Sequence, residues 1–227
     1  MPNHVTSILK LSGDQKSIDS LVEEFSTFHP ETQHVTYDNR KTFKNSEGEF
    51  GWLKEETNIF TRRGGDPVNG VPKGFKPHMQ KSFLRFPDFQ KIAPMPPEVK
   101  ESINIAGSNP TWYRWSIDNW GTKWNSYSFE KIGKNEYKFE TAWSSVVEMV
   151  KKMYEKYPFL EIEYTWADED SGQNCGNILF SNGFAKKNIP EGGSKEAFEI
   201  VFSVDPSLKE IFKFCKKSDT YEYVDEE

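Results

Sequence analysis

Apolar residues recur near the start of the chain at the spacing of a helix. Ile18, Leu21, Val22, Phe25 and Phe28 stand at i, i+3, i+4, i+7 and i+10, so residues 15–27 carry one apolar face. Ahead of them, residues 5–11 are β-prone and apolar enough for a strand. Ser12-Gly13-Asp14 turns the chain and caps the helix, and Pro30 stops it. The pattern predicts a strand followed by a helix.

Regular patterning returns after residue 124. Residues 125–130 and 136–141 read as strands joined by a hairpin at Gly133-Lys134-Asn135. Val146, Val150, Met153 and Tyr157 form the buried stripe of a helix that ends at Pro158. Ser145 and Glu148 have the spacing of a capping box at its start. Leu160, Ile162, Tyr164 and Trp166 alternate along a strand, and residues 177–180 form another that pairs with it. Between the two patterned regions, residues 31–109 show frequent Gly and Pro and broken periods. Within them residues 83–86 suggest a short strand and 98–106 a short helix. Lacking a sustained apolar period, this stretch reads as a long irregular insertion rather than a separate domain.

The order β-α-(insertion)-β-β-α-β matches the split βαβ arrangement. The expected fold class is α+β and ferredoxin-like, with an antiparallel sheet carrying its helices on one face. The expected domain spans residues 1–183, with the insertion at about 31–109. A C-terminal extension, 184–227, holds a polar linker, a strand or helix start at 197–204, a short helix over 206–217 and an acidic tail.

Composition narrows the function classes. The net charge is −6, which argues against a general nucleic-acid binder, because phosphate neutralisation needs clustered Lys and Arg. The charge is unevenly spread: residues 34–91 hold eleven Lys/Arg against seven Asp/Glu, a local +4 that leaves −10 elsewhere. Cys175 and Cys215 make no metal or redox motif and read as free thiols of a reducing cytoplasm. The first residues show no basic and apolar signal segment, and no apolar run approaches the roughly 18 residues of a membrane span.

Five of the seven tryptophans, Trp112, Trp115, Trp120, Trp124 and Trp143, fall within residues 110–143. Two roles stay open for them. The rings could pack the sheet against its helices, or form a cleft with Arg114 and Lys123 at its edge that stacks a base or a partner side chain. Asn119 and Gly121 favour a tight turn that Thr122 could anchor. Lys123, between two tryptophans, must snorkel or meet an anion. The candidate binding residues are therefore Trp112, Arg114, Trp120, Lys123 and Trp124, together with Arg62 and Arg63. The last two precede Gly64-Gly65, where backbone N–H groups beside guanidinium groups could hold a phosphate, although a solvated loop accounts for the same residues.

Other constellations are weaker. Asp168-Glu169-Asp170 could bind a divalent cation but lacks EF-hand spacing and reads as a solvated turn. Glu130 and Glu140 sit on neighbouring strands and could pair as acid and base. His4, His29, His34 and His78 show no metal-ligand spacing. With no catalytic motif, cofactor motif or metal set, the expectation is a protein that is not an enzyme.

Several segments occurring together resemble the YubB-like family. They are the opening residues 1–5, Tyr113-Arg114-Trp115, Asn119-Trp120-Gly121-Thr122-Lys123-Trp124-Asn125, the 139–144 segment Phe-Glu-Thr-Ala-Trp-Ser, Tyr157-Pro158 and the acidic turn at 168–172. The resemblance covers the first strand and helix and roughly residues 110–183. It implies a ferredoxin-like domain encoded on a phage, plasmid or related element, and it implies no activity. The expected function is a non-catalytic binding protein acting on a host protein in the bacterial cytoplasm, with counter-defence as one such role. The alternative is a nucleotide or single-stranded nucleic-acid binder that uses the Trp-rich window and the basic insertion.

Overall fold

His4–Ser12 forms β1, one of the two central strands of a six-stranded sheet. Its residues alternate in burial, with Val5, Ser7, Leu9 and Leu11 directed to one face. The structure, a computed structural model, describes residues 3–28, 40–47, 49–54, 56–62, 65–77, 83–102 and 111–224. The chain divides into two units, Met1–Thr27 with Arg85–Glu227, and Phe28–Leu84.

In the first unit, β1 leads into α1 (Gln15–Glu24), where the Asp14 carboxylate accepts from the Ser17 N–H at 3.0 Å. Next come α2 (Trp112–Trp120), β2 (Tyr127–Lys131), β3 (Glu136–Ala142), α3 (Val147–Lys156), β4 (Glu161–Asp168), β5 (Gly176–Ser181), β6 (Phe184–Asn188) and α4 (Lys195–Val204). The strand order is β6-β5-β4-β1-β3-β2, and every neighbouring pair is antiparallel. Strand β3 lies between β1 and β2, and β1 between β3 and β4. The two βαβ crossovers therefore interleave, which is the split arrangement of a ferredoxin-like fold.

Helices α1 and α3 lie side by side over the face that holds Val5, Leu9, Phe139, Ile162 and Tyr164. Ile18 and Leu21 from α1, and Met149, Val150 and Met153 from α3, are fully buried there. Phe25 meets Tyr157 edge-on at 6.2 Å, and Glu24 accepts from Lys156 and from the Tyr157 hydroxyl. Tyr164 is fully buried beneath α3. Its hydroxyl accepts from the Val146 N–H at 3.0 Å and shares a hydrogen bond with Ser7 Oγ. That tyrosine bond replaces the expected capping box: the residue before α3 is Val146, and no side chain caps the helix.

The C-terminal region differs from the expectation in two elements and decides a third between its two alternatives. Strand β6, Phe184–Asn188, takes up the first part of the expected polar linker at 185–194. Residues 195–204 are a helix, α4, capped by Ser194. It packs on the opposite face of the sheet from α1 and α3, where Ala197, Phe198, Val201 and Phe202 cover Ala167, Cys175 and Ile8. Instead of a helix over 206–217, a 3-10 turn at Pro206–Glu210 precedes a hairpin, Phe212–Cys215 with Thr220–Tyr223. Alternating Phe212, Phe214, Tyr221 and Tyr223 give that hairpin its aromatic contacts, and Phe198 and Phe202 of α4 pack on them.

The second unit carries regular structure where an irregular run was expected. Arg40–Lys44, Phe50–Lys54 and Ile59–Arg62 form a meander, extended by Val68–Asn69 on one side and Lys76–Pro77 on the other. Its core is small: Phe43 and Phe75 both meet the fully buried Phe60 edge-on.

Candidate functional site

The Trp-rich window folds as a helix followed by a sharp stop. The Thr111 hydroxyl accepts from the Arg114 N–H at 3.2 Å and caps α2. Gly121, at φ 79°, ends the helix in the left-handed region, with its N–H on the Ile117 carbonyl. The chain then turns back to the sheet. Thr122 is fully buried and its Oγ1 donates to the Ala142 carbonyl at 2.8 Å. Asn125 is tied down as well: its Oδ1 accepts from the Phe89 N–H, and its Nδ2 donates to Asp88.

This anchoring sorts the candidate residues. Trp120 is 4% exposed; its indole N–H donates to the Ala93 carbonyl at 2.8 Å, and its ring meets Phe89 and Trp115. It belongs to the core. Trp112 is half-buried and meets Tyr113 edge-on. The Arg114 guanidinium pairs with Asp118 one turn along its own helix at 2.9 Å, an exposed contact that uses its charge locally. Lys123 and Trp124 remain, and the structure adds two residues that sequence reasoning left out of the set, Tyr113 and Trp143.

The Lys123 ammonium lies 4.7 Å from the Trp124 ring centroid, 5.2 Å from that of Trp143 and 5.8 Å from that of Tyr113. Trp124 and Trp143 stack at 6.4 Å with planes 23° apart. All three rings are exposed, at 39%, 42% and 37%. No carboxylate among the described residues pairs with Lys123. The result is an ammonium held against the negative faces of three rings, with donors that no described carboxylate takes up.

Trp143 is held in a costly conformation. Its φ is 63°, a region that bulky side chains avoid. Its N–H donates to the Asn3 carbonyl at 2.9 Å, and its carbonyl accepts from Asn174 Nδ2 at 3.2 Å. Asn174 and Asn3 also both donate to Asp168. The acidic turn thus orders the backbone at Trp143. Asp168 is 8% exposed and accepts in addition from the Asp170 N–H, so its carboxylate closes the turn and is not a solvated charge.

The other candidates are not brought together. Glu130 stands opposite Lys138, and Glu140 opposite Tyr127, across an irregular register that keeps the two carboxylates out of a facing pair. His4 Nδ1 lies 2.7 Å from the Tyr127 hydroxyl and 3.9 Å from Glu140. Partial burial, with Glu140 and Glu169 nearby, pushes the Tyr127 hydroxyl up to about 12. Among the described residues no group of three His, Cys, Asp or Glu could hold a metal ion, and no helix is long and apolar enough to cross a membrane.

In the second unit, Arg62 stacks over Phe75 at 5.3 Å and borders a hollow of about 440 Å³ with Gly65, Asp66 and Asn69. Arg63 and Gly64, the other half of that predicted loop, lie outside the described residues, as do His29, His34 and His78.

Residues 119–204 match the model of a family described as a ferredoxin-like domain in Api92-like protein. No curated protein and no solved structure matches the chain. The matched stretch runs from the last turn of α2 to the end of α4. It contains Lys123, Trp124 and Trp143, and leaves Tyr113, β1 and α1 outside. Over these residues the chain is similar to the ferredoxin-like domain of Api92-like proteins, in agreement with the sheet and helices seen here.

Proposed function

We propose that the chain is a non-catalytic binding protein that engages a host protein through the surface formed by Tyr113, Lys123, Trp124 and Trp143. The observation that carries this reading is the Lys123 ammonium seated among three exposed rings. Trp and Tyr dominate the energetics of protein interfaces because they bury large rigid areas. An ammonium whose counter-charge is supplied by ring faces still has N–H donors for a partner's carboxylate. The left-handed backbone at Trp143 supports the same reading, since such strain of about 1–3 kcal/mol persists where surrounding structure holds it in place. The YubB-like resemblance adds the setting of a phage or mobile element in a bacterial cytoplasm, with counter-defence as the role that such a setting favours.

The test is a pull-down from host lysate with the tagged chain, reading proteins and small molecules by mass spectrometry. Lys123→Ala and Trp124→Ala variants run beside it, after circular dichroism shows that they fold. The expected result is one host protein retained by the native chain and lost from both variants. A partner retained equally by both variants would overturn the assignment of this surface. A captured nucleotide or oligonucleotide, lost at high salt, would replace the host-protein reading with the nucleic-acid one.

A further inference from the structure

We propose that the free edge of β6 is a strand-addition site for an extended acidic segment of a partner protein, with one apolar side chain of that segment seated between β6 and α3. This surface is distinct from the Lys123 site and does not depend on it.

Among the described residues strand β6 pairs with β5 alone and closes one end of the sheet. All five of its residues are exposed. The β5–β6 connection is the two-residue loop Asn182-Gly183, at φ 52° and 80°, the left-handed pair that a tight hairpin requires. In such a hairpin Ser181 and Phe184 form the closing hydrogen-bonded pair. Alternation then turns the backbone N–H and C=O groups of Ala185 and Lys187 outward. The opposite edge, β2, is blunted by a register shift against β3 and by Ser128 at φ 51°. Strand β6 keeps an unbroken register with β5, so it is the straighter template.

A groove of about 260 Å³ runs beside this edge. Val147 and Tyr154 of α3, with Glu148, Lys151 and Glu155 beside them, form one wall, and Phe180, Ala185 and Lys187 form the other. Tyr154 is fixed there by accepting from the Gly183 N–H at 2.6 Å and by packing on Phe180 at 5.5 Å. A strand added to β6 would send alternate side chains into this groove, the arrangement by which peptides dock between an edge strand and a helix. Phe184, 78% exposed at the rim, adds apolar surface.

Charge selects the occupant. Lys186 and Lys187 point to opposite faces of β6, and no carboxylate among the described residues pairs with either. Lys151 is already bridged to Glu148 and Glu155 at 3.8 Å each. Lys151 carries one charge against the two of Glu148 and Glu155, so with Lys187 the groove face is close to neutral and takes the apolar side chain, while Lys186 on the other face calls for Asp or Glu on that face of the incoming strand. A second copy of this chain would set the same lysines against each other, which disfavours self-pairing.

The test is selection of short peptides from a displayed random library on the immobilised full chain, followed by fluorescence anisotropy of the selected peptides. Two variants are compared with the native chain. Ala185→Pro removes an outward N–H while sparing the β5–β6 ladder, and Lys186→Glu reverses one charge without touching the backbone. The expected result is enrichment of acidic peptides with an apolar residue, whose affinity falls about tenfold or more in each variant and is unchanged in Lys123→Ala. Absence of enrichment, absence of acidic bias, or affinity indifferent to both variants would overturn the proposal. Loss in Lys123→Ala alone would assign the peptides to the aromatic surface. A dimer of the native chain on size exclusion that Ala185→Pro dissolves would assign the edge to self-pairing instead.

Discussion

Thr122 Oγ1 donates to the carbonyl of Ala142 at 2.8 Å, and this buried bond brings Trp124 against Trp143. Thr122 ends the turn after α2, and Ala142 ends β3. One hydrogen bond therefore joins the two chain segments that supply the exposed rings. Thr122→Val keeps the shape and removes the donor. It should destabilise the protein by about 1–3 kcal/mol, because a fully buried polar contact is lost. Urea unfolding measures the change. Tryptophan emission should shift too, and an unchanged spectrum with unchanged stability would show that the bond does not position the rings.

Trp143 offers a comparison of two truncations. Both Trp143→Ala and Trp143→Gly remove the ring, but only Gly accepts φ 63° without a Cβ penalty. The Gly variant should be the more stable of the two by about 1 kcal/mol. Equal stability, or a more stable Ala variant, would mean that the backbone relaxes once the ring is gone. Binding should fail in both, since the surface loses one of its three rings.

Tyr164 makes stability sensitive to alkali. Burial pushes its hydroxyl up to about 12, above the ordinary 10, partly offset by its bonds with Ser7 and Val146. Unfolding frees the group to ionise at its ordinary value, so the unfolded state loses the proton first. This contribution is fully present below pH 10 and is lost as pH rises toward about 12. The size is on the order of 2–3 kcal/mol. Thermal denaturation across that window should show a falling Tm, and Tyr164→Phe should fall less steeply while starting lower. Tyr127 and Tyr157 are raised in the same direction from more open positions and contribute less.

Gly176 faces the Trp166 ring across the β4–β5 pair. A Cβ there would lie 2.4 Å from the indole. Gly176→Ala should cost about 1–3 kcal/mol through overpacking. Rescue by Trp166→Phe, which shortens the side chain, would identify the contact as the cause, and denaturation of the single and double variants reads it.

The main elements of the sheet and its two flanking helices were legible because their signals are local. The stripe Ile18, Leu21 and Val22, and the alternation Ile162, Tyr164 and Trp166, each repeat within a single element. The strand β6 was not read, since Phe-Ala-Lys-Lys-Asn has no buried alternation, although Asn182-Gly183 before it is the strongest short hairpin signal in the chain. The meander in residues 40–69 was hidden for a similar reason. Its strands are four or five residues long where they form the meander, and its buried aromatic core is centred on Phe43 and Phe60. The sequence of α4 fits strand or helix equally because its residues are buried nearly all round, which erases the period that separates the two.

The candidate site shows the same division. Residues 119–125 stand out as a candidate in the sequence because two tryptophans flank one lysine within a turn. Whether each ring is core or surface is not legible there, because burial depends on where distant segments pass. Trp120 is buried because Ala93 and Phe89 meet it from 27 and 31 positions earlier in the chain. Trp143 joins Lys123 only because Thr122 is bonded to the end of β3 and Asn3 and Asn174 hold the backbone that presents the ring. Periodicity is written within one element and survives in the sequence, whereas the meeting of rings is made by long-range contacts and exists only in the folded chain.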